Sequence, residues 1–144
     1  MGKNQVINAT RLKYEEAKKL SSELRGSFEQ LVKSGTIKGL EIADLPEQSR
    51  GQVCGFDVFF VDQHFRMVVT GSTSTDRSLR FECWRVPLAY GRDPVNVFVL
   101  PLMSNGSVQP EEGGDNLWFD EPMGVHALFC EILSRNVGPY LEVP

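Results

Sequence analysis

A chain of 144 residues that is 41% hydrophobic and 24% charged has the size and make-up of one globular domain. It is neither disordered nor fibrous, and no apolar run approaches the roughly 20 residues that span a bilayer. The net charge of −4 hides an asymmetry: residues 1–40 carry eight Lys/Arg against four Glu, whereas residues 41–144 carry seven Arg against fifteen Asp/Glu. An acidic C-terminal portion repels phosphate backbones, which argues against nucleic acid as a partner.

The N-terminus lacks the apolar stretch of a secretory signal, and no membrane partner is expected. Val6 stands where a myristoylation motif after Gly2 requires Ser or Thr, so that reading is set aside. The glycosylation patterns at 8–10 and 105–107 carry little weight without a secretory signal. Cys54, Cys83 and Cys130 are odd in number, widely spaced and set in apolar stretches, as buried free thiols are. A cytoplasmic location follows as an expectation.

Residues 10–34 predict an amphipathic helix. Thr10 is the candidate N-cap, Leu12, Leu20, Leu24, Phe28 and Leu31 form the stripe, and Ala17 and Val32 widen it. Gly26 weakens this helix or admits a close neighbour, and Gly35 is a good stop. A short edge strand is expected within 37–42.

The stretch 55–71 predicts a hairpin. With Val61 paired to Arg66, the loop is Asp62 to Phe65, and His64 is a solvated loop residue. Phe56, Val58, Phe60, Met67 and Val69 then share one face. Asp57, Phe59, Val61, Arg66, Val68 and Thr70 share the other, which is apolar in its middle.

Residues 79–86 alternate cleanly, with Leu79, Phe81 and Cys83 against Arg80, Glu82 and Trp84. Residues 95–103 form a further strand, apolar on both sides, and Pro101 points to a sheet edge or a bulge. A polar loop with a turn at Asn105-Gly106 leads to a brief strand or anchor at 117–119. The last helix opens near Asp120, its candidate N-cap, with Pro122 in the first turn. Val125, Leu128, Phe129 and Ile132 form its stripe, and it stops at Gly138.

The expected fold is therefore a single α+β domain over 1–144: an N-terminal amphipathic helix, an antiparallel sheet of four to five strands, and a C-terminal helix packed on the sheet. Strands apolar on both faces need cover on both. The first expectation is one helix on each face. Both helices on one face, or a curved sheet with a central cavity, are the alternatives.

Little chemistry is legible. His126 and Cys130 are four apart on a helix, half a zinc site at most, with no CxxC and no HxxxH elsewhere. The cysteines lack the paired base of a nucleophile. The calcium-loop spacing, P-loop, GxGxxG and GxSxG patterns are absent. No catalytic residue, metal or cofactor is implied. The first functional expectation is a protein-binding module of adaptor, chaperone or inhibitor type, with another protein or a second copy of itself as partner. Its contact is an apolar sheet face or an aromatic anchor (Phe59, Val61, Trp84, Tyr90, Trp118) ringed by Glu111, Glu112, Asp115 and Asp120. A binder of a small apolar ligand between sheet and helix, or an enzyme using acidic or Cys/His groups, are the other readings.

Overall fold

The computed structural model describes residues 2–46, 54–71, 79–88, 91–103 and 105–135. Helix α1 (Lys3–Lys33) leads into a meander of five antiparallel strands: β1 (Leu40–Ala43), β2 (Cys54–Phe60), β3 (Gln63–Gly71), β4 (Leu79–Arg85) and β5 (Val95–Pro101). A two-stranded ribbon, β6 (Ser107–Val108) with β7 (Leu117–Trp118), precedes helix α2 (Pro122–Arg135). This is the α+β arrangement that the sequence predicts.

Helix α1 begins seven residues before Thr10. Gly2 holds the N-cap position, and its amide donates to the Gln5 side chain at 3.0 Å. Thr10 is an interior residue whose hydroxyl donates to the Val6 carbonyl one turn back. At the other end Ser34 caps the helix, and Gly35 takes a left-handed φ of 71°. The predicted stripe holds from Ala17 to Leu31, but Leu12 is exposed. A Cβ placed at Gly26 would find nothing within 4 Å, so no neighbour needs the close approach. Gly26→Ala should therefore raise stability by about 1 kcal/mol, read from the denaturant midpoint.

Helix α2 starts at Pro122, so Asp120 lies outside the helix and Glu121 holds the flanking position. The Glu121 carbonyl accepts from the Val125 amide at 3.0 Å. The predicted stop at Gly138 lies outside the described residues.

The β2–β3 hairpin is tighter than predicted. Phe60 pairs with Gln63, so the turn is only Val61-Asp62, and His64 and Phe65 belong to β3. The two faces keep their predicted members because the true register differs from the expected one by an even number of residues. Phe65 joins the first face and is fully buried, since it pairs with Val58. Val61 leaves the second face for the turn. Its φ is 56°, the only left-handed non-glycine among the described residues, at a position where two-residue hairpins favour Gly.

Both helices pack on the first face, which corrects the expectation of one on each. Phe28 of α1 meets Phe56 of β2 and Phe129 of α2 edge-on, at 5.8 and 5.7 Å between ring centres. Phe129 also meets Phe60 and Phe65. Leu79, Phe81 and Cys83 of β4, with Phe98 and Leu100 of β5, complete this core. The ribbon joins the helical layer. Ser27 of α1 donates to the Phe119 carbonyl at 2.6 Å, and the Phe119 ring meets Phe81 at 5.6 Å. The predicted Asn105-Gly106 turn is present, with Gly106 at a φ of 83°.

Pro101 ends β5, an edge strand of the five-stranded sheet. Leu102 donates to Leu79 across the ladder, so the missing Pro101 amide faces outward, where no ladder bond is lost. The register slips between Cys83 and Trp84, which leaves Val97 as the bulged residue.

Candidate functional site

The second face of the sheet carries a compact set of polar and aromatic groups. Neither helix reaches it, because the buried side chains of both belong to the opposite core. Its cross-strand rows follow from the register. Glu41, Phe59 and His64 form one row; Ala43, Asp57, Arg66, Trp84 and Asn96 the next; Gly55, Val68, Glu82 and Val99 the third. Phe59 and Trp84 therefore share this face.

Two carboxylates are buried here, Asp57 at 3% and Glu82 at 8% exposure. A buried charge persists only when it is paired, and both are. Arg66 grips Asp57 as a fork, Nε to Oδ1 at 2.8 Å and Nη2 to Oδ2 at 3.1 Å. Arg80 Nε donates to Glu82 Oε2, and the Trp84 indole donates to Oε1 at 2.9 Å. His64 Nε2 lies 3.1 Å from Asp57 Oδ2. That nitrogen is buried without an aligned hydrogen bond, so the contact is one of proximity rather than a directed bond. The His64 ring stacks on Phe59 at 4.3 Å and 25°. Val68, at 6% exposure, sits between the two clusters, and it and Leu45 are buried apolar residues outside the main core.

His64 also lines a cleft of about 400 Å³ at the hairpin end of the sheet, walled by Val86, Pro87, Leu88 and Val95 with Arg85, Arg92 and Asp93 at its rim. Val61 and Leu88 expose 63% and 75% of their surface. A strained turn whose apolar side chain faces water is unfavourable twice over, in backbone and in hydration.

The acidic residues of the sequence lie elsewhere. Glu111, Glu112 and Asp115 are exposed in the β6–β7 loop, and Asp120 is exposed ahead of α2. The ribbon carrying them is anchored to α1, to Phe81 and, through the Pro110 carbonyl, to Arg135 of α2. They belong to the helical layer, on the opposite side of the sheet from Phe59 and Trp84. Trp118 is half-buried in β7, and its backbone lies close against Gly124. Tyr90 lies outside the described residues. The structure thus divides the sequence-derived set into a sheet-face group, a hairpin tip at Val61, and an acidic group around Trp118.

Asp57, His64, Arg66 and Glu82 are the members that sequence reasoning did not single out. Their signal is the placement of charged residues at alternate positions inside otherwise apolar strands, which on a buried face requires mutual pairing.

His126 is half-buried and Cys130 exposed on α2, and no group of three or more His, Cys, Asp or Glu is placed to hold a metal among the described residues. All three cysteines are free thiols. Burial pushes the Cys83 thiol far up from its ordinary value. Burial also raises Cys54, with Lys18 opposing. Cys130, expected to be buried, faces solvent because it falls outside the α2 stripe. An alkylating reagent at mildly alkaline pH should thus modify Cys130 first and leave Cys83 intact until the protein unfolds, as peptide mass mapping would show.

No helix among the described residues is long and apolar enough to cross a membrane. No protein-family model matches the chain, and no curated protein or solved structure gives a significant match.

Proposed function

We propose that the protein is a cytoplasmic protein-binding module whose contact surface is the sheet face opposite the helices. The observation that carries this reading is the grouping of Phe59, His64, Arg66 and Trp84 on a face that neither helix covers. Aromatic and Arg side chains are the usual anchors of protein interfaces. Here each is held in place before any partner arrives: Phe59 by His64, Arg66 by Asp57, Trp84 by Glu82. Such preorganisation lowers the ordering cost of association. The exposed Val61 and Leu88 extend the surface to the hairpin end. Three free thiols suit the reducing cytoplasm.

The test is affinity capture from the source cells with wild type, Trp84→Ala and a helical-layer control, Glu112→Lys. A bound protein should be retained by the control and weakened about tenfold or more by Trp84→Ala, the effect of losing a central aromatic anchor. Melting should fall only modestly, since Glu82 keeps Arg80. Equal capture by all three proteins would remove the sheet face from consideration.

A further inference from the structure

A second surface, separate from the sheet face, arises from the length of α1. Thirty-one residues make a helix of about 46 Å, while the longest strand beneath it, β3 with nine residues, spans about 30 Å. The helix enters the core only at Ala17. Its first turns overshoot the sheet: Thr10, Lys13 and Tyr14 border the Cys54, Val69 and Gly71 end, with the Lys13 stem over Gly71, and the turns before them lie beyond it. On that overhang Val6 and Ile7 expose 49% and 64% of their surface. At 100° per residue, Val6 falls on the line of Leu20, Leu24 and Leu31, and Ile7 stands about a quarter-turn to its side. This end of the helix is also basic: residues 3–12 hold Lys3 and Arg11 and no Asp or Glu.

The acidic group around Trp118 is its counterpart in both respects. Glu111, Glu112, Asp115, Asp120 and Glu121 are exposed, and no Lys or Arg occurs between Arg92 and Arg135. Among these charges lie the half-buried Trp118 and the 66% exposed Met123. One chain therefore carries, on separate elements, an exposed apolar pair beside positive charge and an apolar patch edged with negative charge. The two cannot meet intramolecularly, because the overhang projects beyond the Cys54 and Gly71 end of the sheet while the ribbon is pinned at Ser27 and Arg135.

We propose that a second copy of this chain is the occupant: the α1 overhang of one copy seats on the Trp118 surface of another, and a two-fold axis closes the pair by returning the same contact. Each copy then gives one helix end and receives one, and the two-fold return of the contact closes the assembly at two. Charge complementarity sets the register and quickens encounter, while Val6, Ile7, Trp118 and Met123 supply the burial.

Light scattering coupled to size exclusion tests this. A dimer is expected at low salt, weakening as salt screens the opposed charges. Lys3→Glu/Arg11→Glu and, separately, Glu111→Lys/Glu112→Lys should each weaken association by about tenfold or more. Joining all four changes in one protein restores the attraction and with it the dimer. All of these positions are exposed, so the folded state, checked by circular dichroism, should be kept. A wild-type monomer at every salt concentration overturns the proposal. So does a dimer indifferent to either reversal, or a fourfold variant that stays monomeric. Trp84→Ala should leave the dimer intact, which separates this contact from partner capture by the sheet face.

Discussion

Phe129→Ala should be the most destabilising single truncation in the protein, at about 3–5 kcal/mol. Phe129 is 1% exposed and meets Phe28, Phe60 and Phe65 edge-on. One ring therefore joins both helices to two strands. Edge-to-face pairs add about 0.5–1.5 kcal/mol beyond area burial, and three are lost together. Thermal unfolding should shift down by on the order of 10 °C. A drop no larger than that of a peripheral substitution such as Leu88→Ala would mean that the two helices do not share this joint. Because the sheet face lies on the far side, whatever the folded fraction of the variant binds there should keep its affinity.

Gly55→Ala should be nearly as damaging, although it adds one methyl group to a strand. A Cβ at Gly55 would stand 2.2 Å from the Met67 carbonyl oxygen and 3.3 Å from Val68 Cα. Those are backbone atoms of the paired strand, so nothing can rotate aside. The β2–β3 ladder must part locally, and overpacking of this kind costs about 3 kcal/mol or more. The same change at Gly26, where space is open, should stabilise. Chemical denaturation of the two variants side by side checks the opposite signs. Gly55 stands in the row of Val68 and Glu82, so parting the ladder there also disturbs the sheet face. Gly55→Ala should weaken partner capture in the surviving folded protein, unlike Phe129→Ala.

The architecture was largely legible in the sequence. Hydrophobic periodicity located both helices and the main strands, and alternation placed Phe56, Val58, Phe60, Met67 and Val69 on one face whichever even register is chosen. The start of α1 was not legible, because residues 3–9 carry no core stripe long enough to read. Their helicity continues from the packed turns downstream and from the Gly2–Gln5 cap. The hairpin turn was misread because Val61 is a poor residue for a left-handed position, and sequence preference argues against it. Which face the helices take could not be decided locally. An amphipathic stripe says that a helix packs, not on which side.

The candidate site was legible only in part. Phe59 and Trp84 stood out as surplus apolar residues, but their neighbours Asp57, His64, Arg66 and Glu82 look like ordinary solvated charges until the register brings them together. Trp84 meets Glu82 within its own strand, a spacing visible in the sequence. Asp57 meets Arg66 across the hairpin, and only the pairing of Phe60 with Gln63 makes them neighbours. The acidic loop was recognised, but its separation from the sheet face depends on the small ribbon at 107–118, whose two-residue strands carry almost no periodic signal.

The account turns on whether the face opposite the helices meets another protein. Fluorescence of a Trp118→Phe variant isolates Trp84, the other of the two tryptophans in the chain, as a reporter at the centre of that face. Titration with the protein recovered by capture should shift the Trp84 emission to the blue and protect it from acrylamide, saturating at one partner per chain. An unchanged emission spectrum and unchanged quenching, under conditions where the partner is bound by independent measurement, would contradict the assignment.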